Sequence, residues 1–273
     1  MPIIIPGNRL ASTGHTISQS IRFNPGDSPY MSRTFGTATD ANKWTLSAWS
    51  KLGQTGGMRL LEAGGSAGNE DIVAFGGSAG YQKLYFWKRT SSSYNYNLTS
   101  TQLFRDPSAF YHFVYVFDSS NTISTERMKA YVNGQRITAF STETYPSSGL
   151  ASRINTAVEH RIGEPVYGGG HSDGYVAEMA FIDGQALDPS YFGEFKEDVG
   201  IWIPKDISGL TFGNNGFHID GRDASDLGDD ESGNGNDFTT SGLATNDQKA
   251  DSPTNNQITF NPLNNQRSGG TPS

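Results

Sequence analysis

Residues Tyr111–Phe140, YHFVYVFDSSNTISTERMKAYVNGQRITAF, decide the fold. In the first run Tyr111, Phe113, Tyr115 and Phe117 alternate with His112, Val114 and Val116. Successive side chains of a strand point to opposite faces, and here both sets are apolar or aromatic. The spacing therefore predicts a strand covered on both sides, in the middle of a sheet. Asp118 to Thr125 is a polar loop, and Met128, Ala130 and Val132 mark one face of a second strand. Asn133-Gly134 follows, the dipeptide that accepts the positive φ values of a tight type I′ turn. Ile137 and Phe140 close the hairpin, an order that belongs to the middle of an antiparallel β-sandwich.

The flanking sequence continues the pattern. SIRF and PYMSRTF surround a turn at Asn24–Asp27, and KWTLSAWSK alternates Trp44, Leu46 and Ala48 against Thr45, Ser47 and Trp49. MRLLEA, EDIVAFG and YQKLYFWK follow, separated by Gly-Ser turns, and SYNYNLT sets Tyr94, Tyr96 and Leu98 against Asn95 and Asn97. Beyond the central hairpin, Ser141 to Gly149 reads as a loop, EHRIG as a strand, Val166 to Asp173 as a glycine-rich loop and GYVAEMAFIDG as the last strong strand. Asp188-Pro189 opens a helical turn through Phe195, with Asp as cap and Pro at the first position. IWIP and FHID are short strands.

Composition excludes several classes. The chain has 273 residues with 33 glycines and no cysteine, so disulfides, zinc–thiolate sites and cysteine nucleophiles are ruled out. A net charge of −8 with no basic patch argues against nucleic acid as a partner. No window approaches the roughly 20 apolar residues of a bilayer span, so membrane insertion is not expected. The opening MPIIIPGNRL lacks the basic flank and apolar core of a secretion signal. The organisation expected is an irregular arm over residues 1–19, a sandwich over 20–243 and a polar tail over 244–273. Ile3-Ile4-Ile5 either docks on this or a neighbouring subunit or forms a short edge strand. An ITF strand attaches the tail, and Ser268 to Ser273 is a disordered end.

The order SIRFNPGDSPYMSRTF, KWTLSAWSK, YHFVYVFD, RMKAYVNGQ, RIGEP and GYVAEMAFIDGQALDPSYFGEF resembles the laminin-G-like, concanavalin A-like lectin/glucanase superfamily. An opening like MPIIIPGN together with IDGQALDP and SGNGNDF resembles the version found in virion proteins of marine bacteriophages. The resemblance spans roughly residues 1–262. It implies an all-β jelly-roll sandwich of two antiparallel sheets, located on a virion as a tail fibre or capsid decoration. It also implies a homo-oligomer, trimer favoured, among other virion proteins, with glycan binding at a sandwich edge and calcium often nearby.

Each chemical motif has a bland counterpart. GGSAG occurs at Gly64–Gly68 and again at Gly76–Gly80, but a nucleophile elbow needs a following helix, and here strands follow. Glucanase chemistry on this fold needs carboxylates alternating along one strand, whereas Glu70-Asp71 are adjacent and Glu178 stands alone. Enzyme activity is not expected, and a polysaccharide-degrading enzyme is a remote alternative. His15, His112, His160, His171 and His218 lack a short metal-ligand spacing. In Asp220–Asp237, the oxygens of Asp229, Asp230, Asn234, Asn236 and Asp237 would suffice for calcium, although the loop lacks EF-hand spacing and also reads as a solvated turn. Trp87, Tyr94, Tyr96, Tyr167 and His171 are the candidates for sugar contact, since aromatic rings stack on the apolar face of a pyranose. Two readings follow. One is a non-enzymatic virion structural protein presenting a surface for host glycans, and the other is a dedicated calcium-assisted carbohydrate-binding module.

Overall fold

The computed structural model describes residues 14–53, 56–76, 82–167, 169–197 and 200–255. Within them the chain runs through β1 (Ser20–Phe23), β2 (Tyr30–Thr34), β3 (Lys43–Leu52), β4 (Gly57–Ser66), β5 (Asn69–Gly76), β6 (Lys83–Thr90), β7 (Ser93–Ser100), β8 (Tyr111–Asp118) and β9 (Met128–Val132). It continues through β10 (Gln135–Arg136), β11 (Phe140–Thr144), β12 (Glu159–Ile162), β13 (Gly174–Asp183), β14 (Gly193–Phe195), β15 (Trp202–Pro204), β16 (Phe217–Ile219), β17 (Thr239–Ser241) and β18 (Gln248–Lys249). One sheet has the order β10-β9-β8-β3-β13-β1-β18, with β16 also paired to β13. The second runs β11-β7-β6-β5-β4-β12-β2-β17, and β14–β15 form a small hairpin. Every pairing is antiparallel, so the fold is the expected all-β sandwich.

Strand β8 lies between β3 and β9, as its two apolar faces predict. Phe113, Tyr115 and Phe117 enter the core between the sheets. There Trp44 stacks on Phe117 at 5.6 Å between centroids and meets Phe86 at 5.4 Å. Val114 and Val116 are buried on the other side, under Phe192, Ile207 and Phe212 from the excursion over residues 185–216. Further along the same face Ile17 packs with Trp49, Phe110 and Ala177. The first sheet therefore has a roof of its own. Among the described residues the excursion packs on that sheet alone, and the outer face of the second sheet carries no apolar cluster of its own, so we call it the open face.

Three local expectations change. The return limb of the central hairpin is only Gln135–Arg136, and Phe140–Thr144 crosses to the edge of the second sheet beside β7. Its polar FSTET run suits an exposed edge, which is why it reads as a loop in sequence. The turn at Asp188 is a single 3-10 turn, Pro189–Tyr191, capped by Ser190 N donating to Asp188 Oδ1 at 2.8 Å; β14 then begins at once. The polar tail expected from residue 244 begins as part of the first sheet, where β18 pairs with β1 and Ser252 Oγ donates to Ile17 O at 2.5 Å. The Ile3–Ile5 run, most of the second GGSAG copy, the ITF segment and the final residues lie outside the described residues.

The arm is held by a buried carboxylate. Glu178 Oε2 lies 2.9 Å from His15 Nε2 and 3.5 Å from His218 Nε2. The hydrogen bond to Glu178 raises the His15 imidazole above its ordinary 6.5, with Asp206 adding to the effect, against burial and the nearby Arg222 charge. Burial alone would raise the Glu178 carboxyl, but the bonds from the two histidines outweigh it and hold it low. A raised imidazole stabilises fully below pH 6.5 and loses its contribution as pH rises through the folded value. Amides of residues 14–19 should therefore exchange faster at pH about 8.5 than at about 6, after correction for intrinsic rates. Equal corrected rates would remove this role for His15.

Candidate functional site

The open face is built from cross-strand rows and two bulges. Ile72 pairs with Trp87 and Trp87 with Asn97, while Ala74 pairs with Tyr85 and Tyr85 with Thr99. A bulge between Arg59 and Leu61 leaves Leu60 unpaired, so Arg59 and Glu62 share this face although three apart. A second bulge leaves Asn95 unpaired and sets Arg89 opposite Tyr94 but Lys88 opposite Tyr96. Tyr94 thus turns outward, 52% exposed, with its ring perpendicular to Trp87 at 5.5 Å.

Two adjoining hollows, of about 510 and 250 Å³, lie on this face and share Arg59, Ile72 and Trp87. Their rim is the loop formed by residues 165–167 and 169–172. Glu62 anchors that loop by accepting from Val166 N at 3.0 Å, and Ser172 Oγ accepts from Arg59 N at 2.9 Å. Tyr167, 47% exposed, donates its hydroxyl to Gly65 O at 2.8 Å. His171 lines the larger hollow, with Nδ1 at 3.7 Å from Glu164. Four of the five sugar-contact candidates, Trp87, Tyr94, Tyr167 and His171, therefore gather around one groove.

Tyr96 does not join them. It is fully buried, its hydroxyl donating to Asp71 Oδ2 at 2.9 Å and lying 3.1 Å from Ser152 Oγ. Strict alternation puts Tyr94 and Tyr96 on one face, and the bulge at Asn95 separates them. Arg59, Glu62, Glu70, Tyr85 and Arg89 also line the groove and are not among the sugar-contact candidates read from sequence. The alternation of Tyr85, Trp87 and Arg89 along β6 was the available signal.

The groove's charges come in pairs. Arg59 Nη1 donates to Glu62 Oε2 at 2.5 Å, and Arg89 Nε donates to Glu70 Oε1 at 2.9 Å. The Arg89 guanidinium also lies 5.2 Å from the Trp87 ring centroid. Burial raises the Glu62 carboxyl, opposed by the Arg59 charge and the Val166 amide. An apolar strip flanked by fixed donors is suited to hold a polyhydroxylated ligand.

The acidic loop is a turn rather than a cation cage. Asp230 Oδ1 accepts from His218 N at 2.8 Å and Ser232 N at 2.9 Å, and Oδ2 accepts from Asn236 N and Ser232 Oγ, both at 2.8 Å. Asp237 Oδ1 accepts from Asp230 N at 3.1 Å, and the Asn234 amide donates to Gly213 O and Gly216 O. The Asn236 amide donates to Asn214 O at 2.9 Å and Gly216 O at 2.7 Å, and its oxygen accepts from Arg33. Asp229 sits half-buried, its carboxyl pushed up by burial and then by Asp237, Asp226 and Asp223. Backbone amides already hold both oxygens of Asp230 and one of Asp237, and the Arg33 guanidinium holds the Asn236 oxygen, so most of the set is committed within the turn. Among the described residues no three His, Cys, Asp or Glu side chains are grouped to hold a metal ion.

Two nucleophile-like arrangements are equally structural. Ser66 closes the β4–β5 hairpin with no helix after it. Ser47 Oγ lies 2.8 Å from His112 Nε2, but Trp202 Nε1 donates to His112 Nδ1 at 2.9 Å. The Nε2 atom therefore carries the ring proton and cannot act as a base toward Ser47.

A family model described as the concanavalin A-like lectin/glucanases superfamily matches residues 25–190, which include the whole groove. No curated protein sequence matches the chain. Among solved structures, a Bacteroides ovatus protein assigned a carbohydrate-binding role aligns with a TM-score of 0.53 at 17% identity, over 86% of this chain and 60% of that one. The native heptameric SAP-like pentraxin of Limulus polyphemus aligns at 0.45 and 16% identity, over 63% and 79% of the two chains. The NanB sialidase of Streptococcus pneumoniae aligns at 0.43 and 14% identity, over 64% of this chain but 27% of that one. At such identities the likeness is one of fold.

Proposed function

This chain belongs to the concanavalin A-like lectin/glucanase superfamily, and from that membership we propose that it is a non-enzymatic protein presenting its open sheet to a glycan. The observation that carries the reading is Trp87 at the centre of the groove, with Tyr94 edge-on to it and Tyr167 and His171 on the rim. The setting proposed with it is a bacteriophage virion. There the protein would serve as a tail fibre or capsid decoration, a trimer among other virion proteins, meeting a host surface glycan. Support for that setting is the resemblance carried by MPIIIPGN, IDGQALDPSYFGEF and SGNGND. A calcium-assisted module is the weaker form of the reading, because Asp230 spends both its oxygens on backbone amides.

The groove holds two carboxylates, yet their geometry argues against hydrolysis. A glycosidase acid must offer its proton to the glycosidic oxygen. Both oxygens of Glu62 are already committed, to Arg59 and to the Val166 amide, and Glu62 is 2% exposed. Glu70 is committed to Arg89.

Replacement of Trp87 by Ala should weaken glycan binding at least tenfold, about 1.4 kcal/mol or more, with thermal stability checked in parallel. Tyr94→Ala should cost less. The check is calorimetry on ligands found by array screening, and chromatography of the same mixtures should reveal no shortened sugar. A blank array with and without calcium, or full affinity in Trp87→Ala, would remove the reading.

A further inference from the structure

We infer that the groove selects neutral polysaccharide, its two arginine–glutamate pairs clamping sugar hydroxyls and barring sulfated, phosphorylated or carboxylated chains. This rests on the glycan-binding reading above and adds the ligand's chemical class. Across both hollows the ionisable lining is Arg59, Glu62, Glu70, Arg89 and His171. Each has an opposite partner: Arg59 with Glu62, Arg89 with Glu70, and His171 beside Glu164. The formal charge of the four arginine and glutamate groups sums to zero, so the groove offers no net charge to steer an ion of either sign.

Exposure makes the pairs unequal in a useful way. The Glu62 and Glu70 side chains are 3% and 9% exposed, whereas those of Arg59 and Arg89 are 32% and 33% exposed. The carboxylates are the buried member of each pair, and the arginines, which line the hollows, the accessible one. A guanidinium has five N–H donors, and the bonds to glutamate use only part of them. The remainder can donate to hydroxyl oxygens without disturbing either pair. An anionic ligand would have to compete for a guanidinium that already holds a buried carboxylate, and would bring a second negative charge beside it. Drawing the arginine away would leave that carboxylate buried and unpaired, the costly way to break such a pair. Arg89 is further held by the Trp87 ring beneath it. A cationic ligand meets the converse obstacle, because both carboxylates are shielded by their arginines.

The test uses the full chain on paired immobilised polysaccharides, dextran and dextran sulfate, cello-oligosaccharide and alginate. Wild-type protein should be retained by neutral chains, with affinity constant to about twofold as salt rises to about 0.5 M. Glu70→Gln, which frees Arg89, should bind dextran sulfate at least tenfold more tightly than wild type, and this gain should vanish with salt. Wild-type retention by acidic chains alone, falling steeply with salt, would overturn the inference while leaving glycan binding intact. Retention by neither class would overturn both. The wild-type comparison decides the matter even where E70Q folds poorly.

Discussion

Between pH 6.5 and about 3 the folded protein should lose on the order of 4 kcal/mol of stability through each of His112 and His160. Both rings are fully buried, and burial depresses each imidazole from 6.5 to about 3. Their nitrogens are fixed in the neutral form. His112 accepts from Trp202 and is bonded through Nε2 to Ser47, while His160 bonds through Nδ1 to Val158 O at 2.8 Å and accepts from Asn155 N at 3.3 Å. His160 also stacks on Phe35 at 3.7 Å. In this window the unfolded chain binds both protons and the folded one neither, so stability is complete above 6.5 and drains as pH falls. Together the two losses approach the whole stability of an ordinary domain, about 5–15 kcal/mol. Urea melts at a series of pH values should reveal a slope near 2.7 kcal/mol per unit, roughly halved in His112→Gln. Flat stability down to pH 4 would contradict the neutral, buried assignment.

Replacing Asp230 by Ala should cost about 3 kcal/mol or more, and chelators should not imitate it. Two backbone amides of the turn, one further amide from β16 and a serine hydroxyl all donate to this one carboxylate. Removing it strands those donors in a site where Asp230 itself is 8% exposed, at about 1–3 kcal/mol for each group left buried and unpaired. A calcium site would behave differently: EDTA would lower Tm by itself, and Asp230→Ala would cost only the calcium-dependent part. The predicted result is a Tm unmoved by EDTA and sharply lowered by the substitution.

The sandwich was legible because its signal is local and repeated. Strand β8 announces its central place by being apolar on both faces, and β3 beside it and β6 in the facing sheet carry a clear alternation. The site was legible only in part. Trp87, Tyr167 and His171 could be picked out as aromatic or polar groups near turns. The grouping of Arg59 with Glu62, and of Tyr94 with Trp87, depends on bulges at Leu60 and Asn95. A bulge answers to how one strand's twist fits its neighbours, and it carries no fixed residue pattern here. One unpaired residue reverses the faces on either side of it, so the alternation that rightly keeps Tyr96 with Leu98 in the core wrongly puts Tyr94 with them.

The segments that carry the family resemblance turn out to be architectural. Asp183 of IDGQALDP is 1% exposed and accepts from Thr39 N at 2.7 Å, Asn215 N at 3.0 Å and the Asn155 amide at 2.6 Å. Asp230, just before SGNGND, plays the same part for the later turn. Acidic residues beside glycines resemble ligand loops in sequence because both uses need carboxylate oxygens on tightly bent backbone. Only the direction of the backbone amides separates them, and sequence does not display it.

The central claim is that a glycan settles on the open sheet around Trp87. The chain has four tryptophans, and Trp44 and Trp49 are buried while Trp202 lies under the roofed sheet. An NMR titration following the four indole N–H signals during addition of a neutral oligosaccharide therefore separates the faces directly. The account predicts that the Trp87 signal shifts with saturation and the other three stay in place. A stationary Trp87 signal, with saturable shifts instead along residues 220–237, would contradict it.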